Sequence, residues 1–244
     1  MGKVKRENKK GKRKRMRNIK LTIEYDGKDF NGWQKQPDKL NIQGTIEKAI
    51  EVVTGEVTEL NASGRTDAGV HAIGQVANFK TNSKIPIEKI PVALNTKLKK
   101  TIRIINAEEV DERFHSRLSC KRKTYRYVIN NSEFSSALYR NLECHIPQKL
   151  NVEKMQEAAK CFEGEHDFKA FKASGTSSKS SVRTIYEAKV YKREDTRICI
   201  ELTGNGFLYN MVRIISGTLL DVGLGKIKPE DITKIINEGK RENA

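Results

Sequence analysis

The feature that most constrains this chain is a hydrophobic rhythm that runs through it twice. Between residues 19 and 110, stretches alternating apolar and polar side chains, as half-buried strands do, are separated by stretches with apolar residues three or four apart, as on one face of a helix. The order is strand (19–25), helix (42–53), strand (57–61), strand (74–80), helix (87–98) and strand (102–110). Ile42, Ile46, Ala49, Ile50 and Val53 share one helical face, which predicts an amphipathic helix lying on a sheet. This β-α-β-β-α-β order is the split pattern of ferredoxin-like units. It returns near Cys120 as strand (123–130), helix (152–162), strand (185–191), strand (197–203) and helix (208–222), followed by a helix over 229–236 with Pro229 in its first turn. The expected fold class is α+β, with two tandem ferredoxin-like (split βαβ) units: an N-terminal domain at 16–111 and a C-terminal domain at 112–244. The second pass lacks the final strand of the first, so the C-terminal domain is expected to be one strand short.

With 244 residues, 36% of them hydrophobic, the chain can build real cores. Its net charge of +16 is unevenly placed: residues 1–17 hold ten Lys/Arg against one Glu, which leaves +7 for the other 227. Residues 1–15 are almost uniformly cationic and are expected to be a disordered basic extension, with Met16 as an alternative start and an RNA-tethering arm as the other reading. The moderately basic body, with Lys97-Leu-Lys-Lys100 and Lys121-Arg-Lys123, suits a polyanion such as RNA as well as it suits a solvated surface. Lys172 to Ser181, with five Ser and one Gly, reads as a flexible loop.

Cys120, Cys144, Cys161 and Cys199 form no C-x-x-C pair, so neither a zinc site nor a secreted disulfide framework is expected. His71, His115, His145 and His166 show no metal-ligand spacing, and structural roles are expected for each. No apolar run reaches membrane-spanning length and no apolar segment opens the chain; a cytoplasmic protein with no membrane partner is expected.

Between the strands at 57–61 and 74–80 lies Gly64-Arg65-Thr66-Asp67-Ala68-Gly69-Val70-His71-Ala72. One carboxylate, Asp67, is held in a small-residue loop whose glycines permit tight turning or close approach to a ligand. Arg65, two residues away, can offer positive charge to a phosphate or to Asp67. By itself an Asp-Ala-Gly run more often caps a turn. Tyr125 and Tyr127 alternate with Arg126, so both rings face one side of a strand; packing against a core and stacking on an unpaired base remain open. Arg213 lies in an otherwise apolar helical stretch, where it needs a carboxylate partner or must reach solvent along its stem.

The nine-residue run closely resembles the signature of the TruA family of tRNA pseudouridine synthases. The likeness continues in the family's order through Tyr25-Asp-Gly-Lys-Asp-Phe-Asn-Gly-Trp33-Gln34, Ile42-Gln-Gly-Thr-Ile-Glu47, Phe114-His-Ser-Arg117, Lys123-Thr-Tyr125-Arg-Tyr127, Gly164-Glu-His-Asp-Phe168 and Asn205-Gly-Phe-Leu-Tyr-Asn-Met-Val-Arg213. It implies that Asp67 is the catalytic carboxylate, that Tyr125 stacks on the target uracil, that Arg213 pairs with Asp67, and that Arg65 steadies the flipped nucleotide. It further implies a basic active-site cleft where two sheets join, a homodimer, and tRNA as partner, with uridines 38, 39 and 40 of the anticodon stem-loop as targets. Isomerising uridine to pseudouridine exchanges the C1′–N1 bond for a C1′–C5 bond without redox change, so no cofactor and no metal are expected. Asp67 could add to the ribose or assist elimination to a glycal.

The resemblance falters at Glu238-Gly-Lys-Arg-Glu-Asn-Ala244, where family members continue into a Gly-Leu-x-Leu strand. A non-catalytic RNA-binding protein on the same scaffold is therefore the rival, and a two-carboxylate glycosidase is a third reading with only Asp26 and Asp29 upstream as partners for Asp67.

Overall fold

The computed structural model describes residues 16–175, 178–193 and 196–244. The basic extension at 1–15 and residues 176–177 of the Ser-rich loop lie outside these. The architecture is mixed α/β with two sheets, one in each of two compact units that divide between Ser119 and Cys120. Among the described residues no helix is long and apolar enough to cross a membrane.

The first unit runs β1 (Arg17–Tyr25), α1 (Ile42–Thr54), β2 (Asn61–Ala62), β3 (Ala72–Thr81), a 3₁₀ turn (Ile87–Lys89), α2 (Ile90–Asn95) and β4 (Ile102–Val110). The sheet order is β2-β3-β1-β4, antiparallel throughout. Ile19, Leu21 and Ile23 alternate along β1 with Asn18, Lys20 and Thr22, so one face is apolar. That face packs against Ile42, Ile46, Ala49 and Ile50 of α1 and Ile90 and Leu94 of α2. Each of these isoleucines and the leucine, once buried, contributes roughly 1.5–3 kcal/mol. Asn41 caps α1 by accepting from the Gly44 N–H at 2.8 Å, and Gly55 ends it in the left-handed conformation at φ 75°.

The strand expected at 57–61 shrinks to Asn61–Ala62 because side chains take over its bonding: Thr58 Oγ1 donates to Lys80 O at 3.0 Å, and Glu56 accepts from Thr81 Oγ1 at 2.6 Å and from Asn82 N–H. Residues 112–119, placed in the second domain by the sequence, are pinned to the first. Asn18 donates to Asp111 O and Phe114 O, and Asn78 Oδ1 accepts from Ser116 N–H.

The second unit contains β5 (Lys123–Asn130), β6 (Cys144–His145), α3 (Val152–Lys160), β7 (Gly164–Asp167), β8 (Val182–Lys192), β9 (Arg197–Gly204), α4 (Met211–Gly223) and α5 (Asp231–Glu238). Its sheet order is β6-β5-β9-β8-β7, with β6 parallel to β5 and the other pairs antiparallel. Ile198, Ile200 and Leu202 of β9 face a core of Met155, Phe162, Phe168, Phe171, Met211, Ile215 and Leu219. The helix expected from 208 starts at Met211, since Asn210 takes a left-handed φ of 57°.

Candidate active site

In the first unit β3, the end of β1 and the segment that follows β1 all bond the loop that carries Asp67. Asp67 is half-buried and Arg65 is exposed. The turn closes on itself through a 3.2 Å bond from Val70 N–H to Asp67 O, with Gly69 at φ 74°, as a turn with a left-handed third residue requires. On one flank β3 anchors it: Gln75 Nε2 donates to Gly64 O at 2.7 Å, and Ser63 Oγ donates to Gln75 Oε1 at 2.8 Å. On the other flank the 26–33 segment grips it. Trp33 N–H donates to Thr66 O at 3.0 Å, Gly69 N–H to Phe30 O at 3.3 Å, and the Tyr25 and Thr66 hydroxyls are 2.8 Å apart.

This grip depends on glycine. A Cβ at Gly27 would lie 1.9 Å from Val70 O, and one at Gly32, itself at φ 82°, would lie 2.5 Å from Thr66 O. Only a bare backbone can approach so closely. His71 closes the far end: its Nδ1 is 3.2 Å from Gly27 N and 3.0 Å from Asp26 Oδ1. That nitrogen accepts from the Gly27 N–H when bare and donates to Asp26 when protonated, and either bond ties the loop to the 26–33 segment. Asp26, considered from the sequence as a second acid, is thus a partner of His71, and Asp29 is exposed.

Behind this shell sits a second one. Glu47, at the polar border of α1, accepts from Leu60 N–H and Gln43 Nε2, both at 3.1 Å, and pairs with Lys35 Nζ at 3.0 Å. Gln43 Oε1 accepts from Lys35 N–H and Gln34 Nε2. Helix, gripping segment and the chain entering β2 are joined here. Gln43, Glu47, Gly27, Gly32 and Tyr25 were assigned no role from the sequence, although all five lie in the 25–34 and 42–47 runs that carry the family resemblance.

The second unit collects the other candidates. Tyr125 and Tyr127 share the core face of β5, opposite Leu202 and Ile200, while Arg126 on the other face pairs with Glu201 at 2.5 Å. That pair raises the Arg126 pKa through the Glu201 hydrogen bond. Tyr127 packs against the core, and its hydroxyl is pushed up to about 12 by burial and by its bond to Cys144, while Arg213 pulls it down. Tyr125, half-buried, meets the Phe207 ring edge-on with centroids 5.1 Å apart. Arg213 is exposed near the start of α4, so the buried guanidinium considered from the sequence is not found.

Each histidine has a local bond: His115 Nδ1 accepts from Arg117 N–H, and the His145 and His166 Nε2 atoms bond Ser132 O and Glu163 O. Among the described residues no cluster of His, Cys, Asp or Glu is arranged to hold a metal ion. A groove of about 970 Å³ in the first unit, lined by Asn61, Lys80, Arg113 and Phe114 among others, contains none of the site residues expected from the sequence.

The arrangement offers one carboxylate held by backbone contacts in one unit, and an aromatic pair with nearby arginines in the other. A family model described as tRNA pseudouridine synthase matches residues 21–118 and 158–244. Curated relatives include "tRNA pseudouridine synthase A" of Acetivibrio thermocellus, 53% identical over 94% of this chain and 93% of the relative, and that of Ruminiclostridium cellulolyticum, 53% identical over 91% and 90%. "tRNA pseudouridine synthase A 2" of Clostridium perfringens is 54% identical over 94% of this chain and 93% of its own. A solved structure titled "Crystal Structure of a Cbf5-Nop10-Gar1 Complex" is 14% identical, covers 82% of this chain and 54% of that one, and has a TM-score of 0.35, too low to bear on the fold.

Proposed function

Because this chain belongs to the tRNA pseudouridine synthase family and so isomerises uridine to pseudouridine in tRNA, we propose that Asp67 is the carboxylate that reacts. The observation that carries this reading is the loop itself: a single half-buried carboxylate whose backbone is bonded on both flanks and approached by two glycines. Such restraint preorganises a reacting group, because the geometry does not have to be found anew in each turnover. Asp67 adds to C1′ as the C1′–N1 bond breaks, or assists elimination of a proton from C2′; the freed uracil turns, C5 bonds C1′ as the Asp67 ester breaks or C2′ regains its proton, and C5 then gives up its proton while N1 holds one.

The remaining roles follow the family resemblance. Tyr125 stacks on the flipped uracil; its half-buried ring is set at 78° to that of Phe207. Arg213 pairs with Asp67 and keeps it ionised, and its exposure leaves the guanidinium available for a carboxylate. Arg65, exposed beside Asp67, steadies the displaced nucleotide. The two units are tandem ferredoxin-like folds: the β2-β3-β1 order of the first, with a helix after β1 and after β3, recurs as β8-β9-β5 with α3 and α4. By the same resemblance their sheets join around a basic cleft, the protein is a cytoplasmic homodimer, and the targets are uridines 38, 39 and 40 of the anticodon stem-loop.

The test is pseudouridine mapping on an unmodified tRNA transcript with uridine at those three positions. Modification confined to them supports the reading, and modification elsewhere with those uridines untouched rejects the anticodon assignment.

A further inference from the structure

Among the described residues four arginines are partly buried: Arg183, near the start of β8, and Arg103, which donates to Lys99 O at 2.8 Å and Ile102 O at 2.7 Å, bond neutral oxygens, and the other two pair with carboxylates. Arg17 pairs with Glu109 at 2.9 Å and Arg197 with Glu143 at 2.6 Å. Arg183 has no carboxylate among the described residues. Its Nη1 donates to Ser180 O at 3.0 Å and to Val182 O at 2.6 Å, and its Nη2 to Ser178 Oγ at 2.7 Å. All three acceptors are neutral. A guanidinium has five N–H donors, so three fix its plane and two remain without a partner among the described residues.

The side chain is only partly exposed, and burial lowers its pKa. A desolvated cation bonded to neutral oxygens alone is costly, and an anion on its remaining edge would offset that cost. Gly206 lies beside this side chain: a Cβ there would come to 3.7 Å from Nε and 3.8 Å from Cδ. The position relative to Tyr125 follows from a short chain of contacts. Thr184, next to Arg183, exchanges two bonds with Asn205, its N–H donating to Oδ1 at 3.1 Å and its O accepting from N–H at 3.0 Å. Two residues on, Phe207 meets the Tyr125 ring.

From this placement we propose that Arg183 binds a backbone phosphate of the RNA beside the nucleotide that Tyr125 receives. A phosphate fits because two parallel N–H donors of a guanidinium match two of its oxygens. Ser178, Ser180 and Val182 then serve to aim the fork. The inference rests on the tRNA reading above but makes a separate demand, a charge contact counted by salt.

The experiment measures affinity for an unmodified tRNA transcript against salt concentration, for the full chain and for Arg183→Gln and Arg183→Lys, with thermal melts confirming folding. Losing one phosphate contact should weaken binding by about tenfold at low salt and reduce the log–log salt slope by about 0.7–0.9. Arg183→Lys should keep the slope, because the charge stays, yet bind several-fold more weakly without the fork. A folded Arg183→Gln with the parent's slope would overturn the proposal. If Arg183→Gln does not fold, unchanged affinity in Arg183→Lys overturns it instead. Pseudouridine formation by the parent is scored on the same transcript, so failure of the catalytic reading would appear in the parent and failure of this one only in the variants.

Discussion

The Asp67 loop of the first unit and the Tyr125 end of the second hold their candidate groups by opposite means. Around Asp67 the contacts are largely backbone bonds, and Gly27 and Gly32 let two chain segments touch. Around Tyr125 the contact is between side chains, the edge-on Phe207 ring, and the arginines assigned to the RNA are an exposed Arg213 and an Arg183 bonded to two backbone carbonyls and one hydroxyl. The contrast separates two demands on an enzyme of this family. A reacting carboxylate must be placed before substrate arrives, whereas groups that receive a displaced base and its phosphates can gain their last partners from the RNA.

The strongest way to break the comparison is at Gly27. Gly27→Ala sets a methyl against Val70 O, and the two segments must part. We expect the first unit to lose about 1–3 kcal/mol of stability and turnover to fall roughly 100-fold through displacement of Asp67. A variant with near-parental turnover and melting would show that the glycine contact does not position the carboxylate.

Tyr125 and Tyr127 sharpen the comparison inside the second unit. Tyr125→Ala should weaken base holding by roughly 1–3 kcal/mol with a small change in melting. Tyr127→Ala should act chiefly on stability, by about 2–3 kcal/mol, because its ring packs on the core. Melting curves beside single-turnover rates separate the two, and reversed behaviour would exchange the roles.

The smallest effect is alkaline. Burial pushes the Tyr127 hydroxyl up to about 12 from its usual 10.0, so the folded state holds its proton more tightly. Its contribution to stability is complete below pH 10 and is lost as pH rises from there through 12. Tyr127→Phe should melt with a shallower fall across that window than the parent, and parallel curves would mean that the hydroxyl is not held as described.

Much of this fold was legible because periodicity reports burial. Ile19, Leu21 and Ile23 declared β1, and the stripe from Ile42 declared α1. What escaped was set by single bonds rather than patterns. Glu56 and Thr58 replace a strand with side-chain bonds, β7 is four polar residues seen only through its pairing with β8, and Pro91 at the first turn of α2 follows a 3₁₀ turn where one long helix was expected. At the site, Asp67, Arg65, Tyr125 and Arg213 stood out through motif and charge. The gripping segment stood out as a motif but without a role, because a glycine's role depends on what its absent side chain would strike. Arg183 was silent too, since the number of its unmet donors appears only in three dimensions.

The central claim is that Asp67 reacts and that the rest of its loop exists to hold it. The direct measurement is pseudouridine formation by Asp67→Asn on a tRNA transcript, with affinity measured in parallel. Near-isosteric asparagine keeps the shape and removes the charge. We predict a loss of turnover of at least about a thousandfold with affinity within about tenfold of the parent, because most contacts to RNA are to its backbone. Substantial pseudouridine formation by this variant would contradict the account.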